Sequence, residues 1–376
     1  MEREFLKLME DWKDFGRPQS RLSEEAIVAC LNLLENKAGD PPHVHEFKLR
    51  EAITTADFPA LFGGVIERDL LARYQTAPTV WQPYVKIRTV RDFRVVPLHK
   101  VQGNDNRLPE VPEKGEYKVS PTSESRYNLQ VKKYGAQFDI SWESIINDYL
   151  DAFGDIPQRF ADAAVNTEAY IITSLIASAS GPNPALFGNP ITDVDGKNVV
   201  NVTNLTLTPQ SLATVLSAMA MQEDANGKPL GVRGVHIVVP PALELAARSI
   251  ITSTELRTTL ANQTYGVRNV LVDLGLQIHV NPWLPVIDTT TGHTAWYVFA
   301  DPSQGAALFA GRLRGQEQPE ICMKDCNKVT VTGQHYTPFS GDFETDNIFY
   351  RVRLIFGGTQ GDPRFAYAST GTVIPS

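Results

Sequence analysis

Two cysteines four residues apart, Cys322 and Cys326 in CMKDC, with His335 downstream, are the first place to look for metal chemistry. Zinc sites usually take four ligands, and the chain has no second cysteine pair, so buried or half-buried thiols are the expectation. His43 and His45 have the HxH spacing that some metallohydrolases use. They sit in a Pro-rich linker without a carboxylate cluster, which reads as surface histidine. Asp193 and Asp195 in DVDGK give half of a calcium loop, but the glycine spacing and the terminal Glu are wrong, so the stretch reads as a turn. GGTQG (357–361) lacks the Lys-Ser/Thr of a phosphate loop. No G-x-S-x-G elbow and no H-E-x-x-H helix occurs. Nothing assembles a nucleophile, a base and an orienting group, so no catalytic residue, cofactor or metal is expected.

The charges narrow the function further. Lys and Arg total 35 against 43 Asp and Glu, a net charge of -8. A protein that reads nucleic-acid sequence is excluded on that balance, whereas one that encloses DNA needs weak contact only. With 376 residues, 42% hydrophobic, the chain is long enough for two modest domains with their own cores. No apolar run approaches a membrane span, and MEREFLKLMEDWKDF is too acidic and amphipathic for a signal peptide. The start at Met1 carries the expectation that no large N-terminal segment has been removed. Three cysteines, an odd number, fit synthesis in a reducing cytoplasm better than a disulfide framework.

These residues hang on an order of elements centred on 125–180. Tyr127, Leu129 and Val131 share one face of a strand; Tyr134, Ala136, Phe138 and Ile140 continue one residue out of step. Such a slip exchanges the faces and predicts a bulge or a change of covered face at Lys132-Lys133. Asp155 and Pro157 then start a helix over 156–180, about 35 Å long, with Phe160, Ala164, Ile171 and Leu175 on its apolar stripe. Ahead of the strand, DFRVVPLHKV (92–101) is the outgoing limb of a ribbon with a polar tip. An isolated two-stranded ribbon is barely stable in water, so it lies either along a neighbouring subunit or back on its own domain.

Elsewhere, amphipathic helices are predicted over 2–15, 23–36 and 58–74, and a strand over 79–88. Thr208-Pro209 starts a helix to about 223, Pro240-Pro241 another to about 253, and 235–239, 276–280 and 296–300 are buried strands. Residues 253–269 read as a polar loop, and 320–331 and 347–356 as closing strands.

ESRYNLQVKKYGAQFDISWESIINDYL followed by IPQRFADAAVNTEAYIITSLIAS, then NPWLP with WYVFADPSQGAALF, and the late DNIFYRVRLIFGGTQGDPRFAY form one series. In that order they resemble the major capsid protein of tailed bacteriophages, the Hong Kong 97-type fold, over about residues 50–370. The resemblance implies an α+β fold: an N-terminal arm (1–50), an extended β-ribbon loop (92–141) and an inserted axial α/β domain (205–312). The peripheral domain is drawn from 51–91, 142–204 with the spine helix 156–180, and 313–376. It also implies a non-enzymatic shell subunit that assembles with itself into pentamers and hexamers around double-stranded DNA. Expected partners are a separate scaffold protein, since the arm is short, a portal protein and a decoration protein, with no membrane; assembly is expected in the host cytoplasm.

Some family members join subunits by an isopeptide bond between a ribbon lysine and a late-strand asparagine, assisted by a glutamate. Alignment of the late strand puts Arg351 at the asparagine and Gly358 at the glutamate, so a shell without covalent cross-links is expected. The ribbon charges Arg126, Lys132 and Lys133, with Arg107, Glu110 and Glu113, are then the candidate intersubunit contacts. Exposed pairs contribute roughly 0 to 1 kcal/mol each, so many must act together. Two rivals stand beside this reading. An encapsulin-like compartment would hold protein cargo instead of DNA, and a metal-dependent hydrolase built on His43, His45, Cys322 and Cys326 would carry stoichiometric metal.

Overall fold

The computed structural model describes residues 68–103, 122–141, 156–224, 227–260, 263–324, 326–329, 331 and 342–371. In chain order, β1 (Lys86–Val90), β2 (Val96–Gly103), β3 (Thr122–Leu129) and β4 (Lys132–Ser141) precede α1 (Ile156–Ile176). After it come β5 (Val202–Thr203), α2 (Pro209–Ala220), β6 (Gly234–Val239) and α3 (Glu244–Thr252). The hairpin β7 (Glu255–Leu260) and β8 (Gln263–Arg268) is followed by β9 (Gln277–Val280), β10 (Trp296–Ala300) and β11 (Leu308–Leu313). β12 (Glu320–Met323), β13 (Asn347–Gln360) and β14 (Ala366–Ser369) complete the main elements, and residues 68–76 are also helical. The fold class is α+β, as expected.

The chain divides into two units. One takes the described residues up to Pro78, with Lys133–Asn166 and Gln316–Ile355; the other takes Thr79–Lys132, Thr167–Gly315 and the residues from Phe356. In the first, β13 pairs antiparallel with β12, Ile321 opposite Val352, and also pairs with β4. Phe138 on β4 stacks on Tyr350 of β13 (5.0 Å between centroids) and on Phe160 of α1 (4.7 Å). Gly135 is required there, because a Cβ at that position would lie 2.5 Å from the Val352 carbonyl oxygen.

The second unit holds the apolar runs. The order β9-β6-β10-β14-β5 puts VHIVV and WYVFA, buried on both faces, in the middle of a sheet. Leu212, Val215 and Met219 of α2 and Ala247 and Ile250 of α3 close one core over Ile237, Val239, Trp296 and Val298. α2 begins as predicted, with Thr208 Oγ1 accepting from the Ser211 amide at 3.1 Å and Pro209 in the first turn. This sheet also takes Val202–Thr203 and Ala366–Ser369, which lie outside 205–312. In the same unit β1 runs parallel to β11, and β11 pairs antiparallel with the last part of β13.

Several expectations need correction. The one-residue slip is a change of partner, β3 pairing with β2 and β4 with β13, and the break falls at Gln130-Val131 instead of Lys132-Lys133. Leu129 and Val131 are both buried there, their side chains against Gly311 of β11. The spine helix stops at Ile176, because Asn183 Nδ2 donates to the Ser174 carbonyl (2.9 Å) and Ala177–Ser178 turns back on Gly181–Pro182. Residues 253–269 are not a loop: β7 and β8 pair over six positions with Thr258 opposite Tyr265. The strand expected over 79–88 begins only at Lys86, after a 3-10 turn at Gln82–Tyr84, and the one expected over 320–331 ends at Met323. The arm helices at 2–15 and 23–36 lie outside the described residues.

Candidate intersubunit surface

The ribbon is the element a shell would use, so its support matters first. β2 and β3 pair over eight positions, from Val96 opposite Leu129 to Gly103 opposite Thr122. Leu98 opposes Tyr127, which puts Lys100 and Tyr127 on one face as diagonal neighbours. That face is tied to the chain's own body. Lys100 Nζ lies 3.0 Å from Asp193, 2.8 Å from Asp195 and 2.7 Å from Asp362, and Tyr127 donates its hydroxyl to Asp193 at 3.2 Å.

Arg364 completes the cluster from the other side, its Nη1 2.6 Å from Asp193 Oδ2 and 3.2 Å from Asp362 Oδ1. The DVDGK stretch is the expected turn, with Gly196 donating to the Asp193 carbonyl at 2.8 Å, but it aims both carboxylates inward. Asp362 also accepts from the Arg364 amide, capping a short 3-10 turn. Among the described residues three buried carboxylates face Lys100 and Arg364, and the Tyr127 hydroxyl donates to one of the three. Burial alone would lower the Lys100 ammonium, but the Asp362, Asp195 and Asp193 carboxylates reverse this and hold it above its ordinary value. Arg364 shows the same contest with the same outcome, and burial with the neighbouring Asp362 and Asp193 charges pushes the Tyr127 phenol up.

The described limbs are braced by their own chain. The need for a neighbour therefore no longer follows from their thinness. Arg126, opposite His99 on the other face, is exposed, as are Lys132 and Lys133, which open β4 and so lie past the end of the ribbon. Arg107, Glu110 and Glu113 lie outside the described residues. Sequence reasoning missed Lys100, Asp362 and Arg364 altogether, and read the two aspartates of DVDGK as part of a turn. The one available signal was the pairing of acid and base in DPR near the end of an apolar stretch.

The remaining candidates sit apart. Cys322 is half-buried on β12 with Arg351 of β13 opposite it, the Arg351 Nη2 to Sγ distance being 3.3 Å; Cys326 is buried. His335, His43 and His45 lie outside the described residues. Among the described residues no group of three or more His, Cys, Asp or Glu is placed to hold a metal ion. The first four residues of GGTQG end β13, where Gly357 lets the Gln130 carbonyl approach and a Cβ on Gly358 would meet Leu175 Cδ1 at 2.8 Å. No described helix is long and apolar enough to cross a membrane.

No curated protein matches the chain in sequence. Among solved structures, the holo-SrpI encapsulin complex of Synechococcus elongatus PCC 7942 is 9% identical with a TM-score of 0.46, covering 80% of this chain and 90% of that one. The capsid of cyanophage P-SCSP1u is 14% identical with a TM-score of 0.45, covering 78% and 88%. A solved structure of Mycobacterium phage Adephagia is 10% identical with a TM-score of 0.46, covering 80% and 92%. The family described as phage capsid protein matches residues 126–369. That span takes in the returning ribbon strand, the spine helix, the α/β sheet and the closing strands, and the chain belongs to the phage capsid protein family.

Proposed function

We propose that this chain is the major shell subunit of a tailed-phage head, built on the Hong Kong 97-type plan. Copies associate into pentamers and hexamers, which close into an icosahedral capsid around double-stranded DNA. The observation that carries this reading is the family match across residues 126–369. The order of parts supports it: a two-stranded ribbon, a helix of 21 residues, an α/β sheet and a long closing strand. On this plan residues 1–50 are the arm, 92–141 the extended loop and 205–312 the axial domain, with the rest peripheral. The role is mechanical, with no catalytic step. Arg351 and Gly358 offer none of the groups an isopeptide bond needs, so subunits hold by burial and charge alone. A scaffold protein directs closure, a portal occupies one vertex, a decoration protein binds the finished shell, and assembly takes place in the host cytoplasm. Contact with DNA is non-specific.

The test is an electron micrograph of the purified chain, followed by nuclease treatment and extraction of the contents. Closed angular shells that protect double-stranded DNA when produced in the phage context are the expected result. A protein cargo with no DNA in that context, or a chain that stays monomeric with and without scaffold, overturns the reading.

A further inference from the structure

Two exposed features of this chain have opposite charge and matching apolar content. The first is the strip formed by β1 and the bend after it. β1 pairs with β11 on one side only among the described residues, so it is the edge of its sheet. Between Lys86 and Lys100 the sequence holds five cations and one acid, in a chain whose net charge is -8. Arg88, Arg91 and Arg94 are exposed, and so are Ile87, Phe93 and Val95 between them. The bend is fixed, Gln130 Nε2 donating to the Phe93 carbonyl at 3.1 Å and the Arg94 amide to Asp92 at 3.1 Å.

The second is the turn Asp342–Asn347 that leads into β13. Asp342 Oδ1 accepts from the Thr345 amide (2.9 Å), the Thr345 hydroxyl (2.7 Å) and the Asn347 amide (3.3 Å). The Phe343 amide donates to Asn327 Oδ1 at 2.9 Å, Asp346 holds a left-handed φ of 55°, and Lys328 pairs with Asp346. All this order serves a turn whose apex is Phe343, 78% exposed, beside the exposed Glu344. A large apolar side chain held rigidly in water is already organised for burial elsewhere, so little conformational entropy is lost when it docks. Acids beside it select a basic surround.

We propose that the Phe343 turn of one copy docks on the β1 strip of a second copy, with Phe343 against Ile87, Phe93 and Val95 and Glu344 facing Arg91 and Arg94. The patches differ, so the contact is head-to-tail and propagates into rings. A nucleic-acid role for the strip is the less favoured alternative, because the exposed aliphatic residues Ile87 and Val95 lie beside the arginines. The proposal rests on the self-assembly reading above.

The test uses the full chain. Phe343→Ser and the pair R91E/R94E each change only exposed side chains, and circular dichroism confirms folding. Each is expected to lower particle yield by about tenfold or more, as loss of an interface anchor does. Adding Glu344→Lys to R91E/R94E should return most of the yield, because the charges are exchanged. Separately, an F343C chain mixed with a V95C chain under mild oxidation should give a cross-linked dimer that neither gives alone. Particle yield at the parent level in both variants, no recovery on exchange, or no mixed cross-link overturns the contact. Normal shells of R91E/R94E that fail to retain DNA overturn it in favour of nucleic-acid binding. A parent that forms no particles refutes the assembly reading instead, and the mixed cross-link then decides the contact by itself.

Discussion

At the level of single residues, the ion cluster under the ribbon is where the chain stores most of its local electrostatics. Among the described residues Lys100 is the ribbon cation that reaches the cluster, touching Asp193, Asp195 and Asp362. Removing one member of a buried set leaves its partners charged and uncompensated, at a cost of about 3 kcal/mol or more. Lys100→Met should therefore lower the unfolding free energy by about that much in denaturant titration. It should also speed amide exchange in Val96–Gly103 and Thr122–Leu129 while leaving β6 and β10 protected. Little of this was legible in the sequence. Asp193 and Arg364 alone lie 171 residues apart, and Lys100 lies farther still from Asp362. No periodicity links them, and DVDGK meets every local criterion of a solvated turn. A second buried bond, Asn281 Nδ2 donating to Thr173 Oγ1 at 2.8 Å, is equally silent at the sequence level. Thr173→Val should cost about 1 to 3 kcal/mol in the same titration, since it leaves a buried amide without its acceptor.

Elements were legible in proportion to how completely they are buried. WYVFA begins and ends where its apolar run does, and VHIVV is longer by one residue, because a strand covered on both faces writes itself as an unbroken run. The 253–269 hairpin escaped because TELRTTLANQTYGVRN has too few apolar residues for its alternation to register, so only the pairing reveals it. The end of α1 escaped for another reason: the apolar stripe continues to Ala177, and what stops the helix is the Asn183 side chain taking a carbonyl from its last turn. Packing of that helix gives a prediction. A Cβ at Gly358 would sit 2.8 Å from Leu175 Cδ1 and 3.3 Å from Ile172 Cδ1. Gly358→Val should thus destabilise by about 1 to 3 kcal/mol, seen as a lowered melting temperature, with no rescue by salt.

For the molecule as a whole, pH acts through a histidine pair, His236 buried and His279 half-buried. His236 Nδ1 and His279 Nε2 are 3.0 Å apart on the parallel strands β6 and β9, near the Tyr84 ring and with Asp301 acting on His236. Burial first, then the neighbouring ring, lowers His279 from 6.5 to about 4, and burial lowers His236, partly opposed by Asp301. Both groups bind protons more readily in the unfolded chain. Stability should accordingly be full above pH 6.5 and fall as pH drops from there towards about 4. Melting curves across that window should show the loss, and His279→Phe should flatten it. The ribbon anchor has a further consequence for the order of events during synthesis. Lys100 and Tyr127 emerge early, but the aspartates and the arginine that receive them arrive from 66 residues beyond Tyr127 to almost the last residues described. The limb thus acquires a fixed direction only when the C-terminal strands have closed. A truncated or half-folded copy would lack the groups that brace Lys100 and Tyr127.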